Sequence, residues 1–319
     1  IDEIKYAIKR HPPVKIIRFG DDTFAHKVDP WLENFAERYS SQIGLPFYCL
    51  MRPNTLTEGT ARLLKEAGCV SVGMSLEHGN EDIRNRVLKR GTSDEMCRES
   101  YAIARKYGIK AQCNVMLGIP GTTIDDDIHS IQFLRELKAH CPTIGIFCPI
   151  PGTELTEYTV DEGYFDPTVS DMHYQSQSVL NCFTDKEKLM QQNIMYLGIV
   201  FAALPKSFDG IFRFLIKLPL TSAYFPVFKI FWMYRFSAIF PKMVPFNLPF
   251  IVKIFRDSMS YFSAQKKIKP DGASFEGLPG DSHVREELIS YRDQSDLAAE
   301  AKSMVAASQS SEPLPPTGS

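Results

Sequence analysis

The sequence lacks closely spaced cysteines. Its 319 residues include seven Cys, and no two of them form a Cys-x-x-Cys pair. A zinc ribbon is therefore disfavoured, because such sites draw their ligands from closely paired Cys. Dispersed cysteines in a chain of this length indicate reduced thiols and a cytoplasmic protein, and they argue against a disulfide scaffold.

Long apolar runs and a strong net charge are also absent. With 36 Lys and Arg against 38 Asp and Glu, the formal charge is -2, and the whole chain carries no nucleic-acid signature. The longest apolar run, Ile194 to Leu204, is shorter than the roughly 20 residues that a spanning helix needs. The chain begins at Ile1 without Met or a signal-peptide pattern, so we expect a fragment of a longer protein.

Charge and composition divide the chain into zones. Residues 205–269 hold 11 Lys or Arg against two Asp, a local charge of +9, and are crowded with Phe, Tyr and Pro. Residues 270–319 carry a local charge of -6 and are rich in Ser, Ala, Glu and Pro, which predicts a disordered tail. We therefore expect a catalytic-type domain over residues 1–165, a helical region over 166–269 and a tail over 270–319.

The first zone consists of repeated strand and helix patterns. Helix starts are indicated at Asp29-Pro30, at Thr57 and at Thr123, where Asp126 completes a capping box. A further helical segment is expected around residues 80–89. Alternation of this kind predicts a parallel sheet with right-handed crossovers. Short apolar runs predict its strands at residues 14–19, 45–50, 70–75, 109–116 and 144–148.

Polar and glycine-rich turns follow each predicted strand. Since parallel strands end at one rim, we expect these groups to converge on one cavity. Carboxylates there can accept hydrogen bonds from ribose hydroxyls or an ammonium group, Arg52 or Arg90 can hold a carboxylate, and Gly118 leaves room for a flat ring. The residues concerned are Gly20, Asp21, Asp22, Arg52, Ser75, Glu77, Arg90, Asn114, Leu117, Gly118, Pro120, Cys148 and Pro149.

Simpler interpretations exist for single members of this set. Asp21 and Asp22 also suit a turn cap, and His78 alone is typical of a turn residue. The strand cysteines Cys49, Cys113 and Cys148 are expected to be small buried apolar side chains. The ordered combination is far more specific than any one member.

That combination resembles the radical S-adenosylmethionine (radical SAM) superfamily, and most of all its branch with an N-terminal cobalamin-binding domain, over residues 5–165. The resemblance implies that Asp21 and Asp22 lie where the methionine amino group binds. It places Glu77 at the ribose or methionine and Arg90 at the methionine carboxylate. Other ligand positions that it implies are Asn114 at the ribose, and the segments 117–121 and 147–153 beside adenine.

The resemblance also implies an α/β fold, a partial (β/α)6 TIM-like barrel that lacks its first strand here. An α-helical aromatic and basic region and a disordered tail follow. The family's signature, Cys-x-x-x-Cys-x-x-Cys, is absent, so the ligands of a [4Fe–4S] cluster are missing and no metal ligand is predicted. We interpret this as truncation. A Cys triplet encoded upstream of Ile1 would distinguish it from a natural cluster-free protein.

The implied activity is radical chemistry on a small-molecule or lipid-like substrate. A reduced cluster, supplied with electrons by a flavodoxin or ferredoxin, would cleave S-adenosylmethionine to a 5′-deoxyadenosyl radical that abstracts hydrogen. In a cobalamin-dependent enzyme, transfer of a methyl group to the substrate would follow. The alternative is a cluster-free barrel that binds a nucleoside-like ligand or a partner. A third interpretation uses Asp21 or Glu77 as the general base of a conventional barrel enzyme.

The aromatic and basic zone allows three interpretations. We favour a helical cap on the open side of the barrel. Peripheral contact with the inner face of a membrane is the second, because basic amphipathic helices bind there. Nucleic-acid binding, which interleaved basic and aromatic residues also allow, is the least favoured.

Overall fold

A five-stranded parallel sheet forms the centre of the molecule. The computed structural model describes residues 1–166, 177–240 and 247–265. The strands are neighbours in sequence order, and the sheet curls into a half-barrel, as the sequence predicts. They are β1 (Ile17–Arg18), β2 (Phe47–Met51), β3 (Cys69–Met74), β4 (Lys110–Leu117) and β5 (Cys141–Ile146).

Helices alternate with these strands and then continue alone. Those of the first zone are α1 (Asp2–Arg10), α2 (Pro30–Gln42), α3 (Glu58–Ala67), α4 (Asp94–Lys106) and α5 (Ile124–Leu137). After β5 come α6 (Glu154–Asp161), α7 (Asp185–Phe201), α8 (Asp209–Leu215), α9 (Thr221–Ile239) and α10 (Leu248–Gln265). The predicted tail, residues 270–319, lies outside the described residues.

The predicted helix starts are confirmed. The Asp29 carboxylate accepts from the Leu32 amide at 2.9 Å, and Thr57 and Thr123 cap α3 and α5 in the same way. Several boundaries differ from expectation. Strand β1 keeps only two paired residues, β5 begins at Cys141 and ends at Ile146 where 144–148 was expected, and a single π-helical turn, Ile83–Val87, replaces the helix expected over residues 80–89.

The two faces of the sheet have different chemistry because side chains alternate along a strand. The outer face packs apolar residues against the helices, with Cys49, Val72 and Cys113 fully buried. The inner face, which lines the lumen of the half-barrel, carries the apolar Leu50 and Met116 among polar or small side chains. The polar or small ones are Tyr48, Ser71, Gly73, Ser75, Gln112, Asn114 and Thr143.

The end of α9 lies at the base of the lumen. The Ile239 carbonyl accepts from the Ser71 hydroxyl at 2.7 Å, and the Phe240 ring lies 5.0 Å from that of Tyr48. Arg235 donates to the Ala139 and His140 carbonyls just before β5. The lumen is therefore occupied at the amino ends of the strands.

Helix α10 exposes apolar side chains. Leu248, Val252 and Phe255 are each more than half exposed, on the same helix as the exposed Lys253 and Arg256. No described helix is both long and apolar enough to cross a bilayer. The interpretation of this surface as a membrane-interface region stays a prediction.

Candidate ligand-binding site at the carboxyl rim

Glu77 is fixed at the rim by an extension of the sheet. After β3, the Glu77 amide donates to the Asn114 carbonyl at 3.0 Å, and its carbonyl accepts from Met116 at 2.7 Å. This pairing with β4 holds Glu77 at φ +68°, a left-handed conformation that few non-glycine residues adopt. Such a strained residue at a strand end is typical of functional sites.

The Glu77 carboxylate forms an ion pair with Arg90. Its Oε1 lies 3.3 Å from Nη2 of Arg90, and the two side chains are 18% and 33% exposed. Burial raises the pKa of Glu77, while the Arg90 guanidinium acts in the opposite direction. The rim therefore offers a half-buried negative charge beside a positive one, a pairing suited to a zwitterionic ligand.

Arg52 completes this part of the site. Its Nη2 donates to the Arg90 carbonyl at 2.7 Å, and its Nε is buried with no partner among the described residues. The structure thus brings together Arg52, Glu77 and Arg90. Because Glu77 engages the Arg90 guanidinium, a ligand carboxylate would have to share that guanidinium.

A chain of hydrogen bonds lines the lumen below the rim. Asn114 donates to the Ser75 hydroxyl at 3.1 Å, Gln112 donates to the Thr143 hydroxyl at 3.0 Å, and the Tyr48 hydroxyl donates to Gln112 at 3.1 Å. Sequence analysis identified Ser75 and Asn114 but missed the other three. Gln112 was detectable, because it lies two residues before Asn114 and so shares its face of the strand.

The Gly118 turn follows β4. Gly118 has φ +64°, and its amide donates to Oδ1 of the fully buried Asp127 at 3.1 Å. The Gln191 side chain, fully buried on α7, lies against it. Leu117 and Pro120 on either side are buried. Neither Asp127 nor Gln191 was predicted from the sequence.

The remaining predicted residues lie around this centre. Gly20, Asp21 and Asp22 are exposed, and within the described residues no hydrogen bond or ion pair links either Asp to Arg52, Glu77 or Arg90. Asp21 instead lines a cavity of about 710 Å³ with the aromatic rings of Phe19, Phe24, Trp31 and Phe35.

Three further residues test the simpler interpretations. Cys148 is only half-buried, unlike Cys49 and Cys113, and Pro149 beside it is buried. His78 is fully buried and accepts from the Asn80 amide at 3.1 Å, as a turn residue does. Burial lowers the pKa of His78 to about 4, so the imidazole is neutral near pH 7.

The residues present fit S-adenosylmethionine but do not fit an iron–sulfur cluster. Paired opposite charges suit its methionine part, and Asn114 and Ser75 offer groups for ribose hydroxyls, while Gly118 is a buried glycine in the left-handed conformation at the turn after β4. Over residues 1–166, 177–240 and 247–265, however, no three His, Cys, Asp or Glu side chains converge as metal ligands.

Asp127 makes the stability of this site depend on pH. Burial raises the pKa of Asp127 to about 8, with the neighbouring Asp126 acting in the same direction and the Gly118 amide opposing. The folded chain thus keeps a proton that the unfolded chain releases near the ordinary pKa of 3.8. Since the folded state binds more protons between these values, stability falls as pH rises through that interval.

We expect Asp127→Asn to remove this contribution. The free energy of unfolding is measured in urea at about pH 5, 6.5 and 8, which lie between the two pKa values of Asp127. The variant should gain stability relative to the native chain as pH rises. Asp125→Asn, on the exposed side of the same helical turn, is the matched control and should follow the native curve. Parallel curves for Asp127→Asn and the native chain would contradict the assignment of a buried protonated carboxyl.

Comparison with known proteins adds to this geometry. Residues 1–134 match the family model described as Radical SAM superfamily. An uncharacterized methyltransferase of Pyrococcus horikoshii is 24% identical over 177 residues, which are 52% of this chain and 38% of the relative. A ribosomal protein uS12 methylthiotransferase, RimO of Trichlorobacter lovleyi, is 30% identical over 82 residues, 25% of this chain and 18% of that protein. The chain thus spans well under half the length of both relatives.

Among solved structures, the radical S-adenosylmethionine methyltransferase TsrM of Kitasatospora setae, with cobalamin and a [4Fe-4S] cluster bound, is similar to this chain. The identity is 19% and the TM-score 0.42, over 50% of this chain and 30% of that one.

Proposed function

We propose, from the premise that residues 1–134 belong to the Radical SAM superfamily, that this chain is the S-adenosylmethionine-binding part of a radical SAM enzyme. The substrate class proposed is a small-molecule or lipid-like compound. The observation that carries the proposal is the rim site, where the Glu77–Arg90 pair, Asn114 and the Gly118 turn follow consecutive strands. In the whole protein, cysteines outside residues 1–319 would supply the cluster ligands.

Each group of the rim has a proposed role. Glu77 would accept hydrogen bonds from the ribose hydroxyls or the methionine ammonium, and Arg90 would offer its remaining donors to the methionine carboxylate. Asn114 would bind a ribose hydroxyl, and the Gly118 backbone would lie against adenine. Bound S-adenosylmethionine would supply the adenosyl group, and these residues would orient it and exclude water from it.

The lumen favours a substrate with a polar group. The hydrogen-bonded side chains of Tyr48, Gln112 and Thr143 line it, and Phe240 lies at its base. A substrate would enter from the rim and face these polar groups beside the adenosyl group. Methyl transfer with cobalamin is the finer proposal. It rests on the resemblance to the cobalamin-associated branch, and the name of the Pyrococcus relative agrees with it.

The proposal is tested by measuring S-adenosylmethionine binding to the chain by calorimetry. We expect Glu77→Gln to weaken binding about 10- to 100-fold, because a hydrogen bond to a charged group contributes about 1.5–3 kcal/mol. Glu99→Gln, on the exposed surface of α4, is the control and should bind like the native chain. Equal affinity for native chain and Glu77→Gln would remove Glu77 from the site.

The same titrations separate the alternative. A cluster-free module that binds nucleosides would bind adenosine as tightly as S-adenosylmethionine, because it would make no specific contacts with the methionine part. The proposed enzyme should prefer S-adenosylmethionine, and that preference should depend on the charges of Glu77 and Arg90. A native chain that binds neither ligand would contradict the proposed enzyme and the nucleoside-binding alternative, and would leave a partner-binding module.

A further inference from the structure

Two fully buried polar side chains lie beside the Gly118 turn without a full set of partners. Asp127 on α5 uses Oδ1 to accept from the Gly118 amide at 3.1 Å, but its Oδ2 has no partner among the described residues. Gln191 on α7 has neither its Oε1 nor its Nε2 paired there. Buried polar atoms without partners destabilise a protein, so their retention here calls for a role.

The two side chains act on one backbone position. A Cβ on Gly118 would lie 2.9 Å from Nε2 of Gln191, closer than real Cβ contacts come, and 3.1 Å from Oε1, which is tighter than most. The Gln191 carboxamide also lowers the pKa of Asp127 by a side-chain hydrogen-bonding interaction, although no hydrogen bond of regular geometry joins the two groups. Gly118 is therefore held from two directions, by a hydrogen bond from α5 and by van der Waals contact from α7.

This arrangement joins the C-terminal helices to the rim. Helix α7 packs on the outer face of the sheet, where Gly198 lies against Ile131 and Ile144. A displacement of α7 would move Gln191 and so release the left-handed backbone of Gly118. Fixed backbone geometry matters at such a turn, since a displacement of about 1 Å in a binding group can cost on the order of 100-fold in rate.

We propose that Asp127 and Gln191 are positioning residues that fix Gly118 for the adenosyl part of S-adenosylmethionine. The inference rests on the proposed function, which assigns the ligand. Neither residue touches the ligand in this proposal, because both are fully buried beneath the turn. They act through the Gly118 backbone, and Gln191 is thereby the side chain that links α7 to the rim.

The test measures S-adenosylmethionine and adenosine affinity by calorimetry, well below the melting temperature of each variant. Asp127→Ala and Gln191→Ala should weaken both ligands about 10-fold and by the same factor, since the turn is proposed to serve the adenosyl part. Asp127→Asn should bind nearly as the native chain does, because its amide oxygen still accepts from Gly118. Gln192→Ala is the control and should bind normally, because the Gln192 side chain lies on the same helix as Gln191 but pairs with Gln177, which precedes the helix.

A second measurement needs no ligand. Hydrogen exchange of the Gly118 amide should be slow in the native chain and in Asp127→Asn, and distinctly faster in Asp127→Ala. Unchanged exchange in Asp127→Ala, or unchanged affinity in both alanine variants of a chain that binds S-adenosylmethionine, would overturn the inference and leave the proposed function standing. A native chain that binds neither ligand but shows the expected exchange rates would overturn the proposed function instead.

Discussion

Arg84→Met is expected to lower the free energy of unfolding by about 3–5 kcal/mol, the range found when one partner of a buried ion pair is removed. Arg84 is fully buried, and its guanidinium donates to the carbonyls of His78 and Thr92 at 2.9 Å and to Asp94 at 2.6 Å. Methionine fills a similar volume but leaves these acceptors without their donor. The loss is large beside the 5–15 kcal/mol that stabilises a typical domain.

Arg86→Met is the matched control. Arg86 lies two residues away, its side chain is 77% exposed, and its one ion pair within residues 1–166, 177–240 and 247–265 is with the exposed Asp82. Exposed ion pairs contribute about 0–1 kcal/mol, so this variant should unfold near the native midpoint. Urea unfolding followed by circular dichroism gives both values. Equal losses for the two variants would show that the segment from His78 to Asp94 is not held by Arg84.

Gly79→Ala is expected to destabilise the chain by about 2–3 kcal/mol, because added bulk in a packed interior forces backbone shifts. A Cβ at Gly79 would lie 2.5 Å from the Cα and 2.9 Å from the amide nitrogen of Ser130, which is backbone of α5. The Gly79 amide also donates to the Ser130 hydroxyl at 2.9 Å. Relief of the clash would separate the turn after Glu77 from α5.

The variant should therefore affect both folding and binding. We expect a lower unfolding midpoint and weaker S-adenosylmethionine binding, since Glu77 lies two residues before Gly79. Gly210→Ala on α8 meets no atom within 4 Å and should be neutral or slightly stabilising, by up to about 1 kcal/mol for a helical glycine. Native-like stability of Gly79→Ala would mean that the contact with α5 yields easily.

The helix boundaries and the rim turns were predictable because their signals are local. Asp29, Thr57 and Thr123 cap helices through amides three residues away, so sequence spacing alone indicates them. The turn after Glu77 was not predictable in this way, because Arg84 and Arg86 look alike in the sequence. One is fully buried and the other exposed, and only the packing of residues 78–94 against α5 decides which.

The centre of the site shows the same division. Alternation along the strands predicted that Ser75, Glu77 and Asn114 would meet at the rim, because parallel strands share one carboxyl end. Gln191 lies 73 positions beyond Gly118 (by residue number) in a helix, with no local pattern to distinguish it from Gln192. Asp127 reads as one of three Asp in a helix's first turn, a position where exposed carboxylates are common.

The sequence by itself therefore determined the alternation of strands and helices, the parallel sheet and the polar rim, because each follows from periodicity, caps and turn residues, whereas the half-barrel was implied by the family resemblance. Only the tertiary structure decided which charges are buried, which residues hold Gly118 and how α9 reaches the base of the lumen. The hydrogen bond from Ser71 to Ile239 joins residues 168 positions apart. Burial and pairing over such distances depend on the packing of whole helices and strands, and no local sequence pattern encodes that packing.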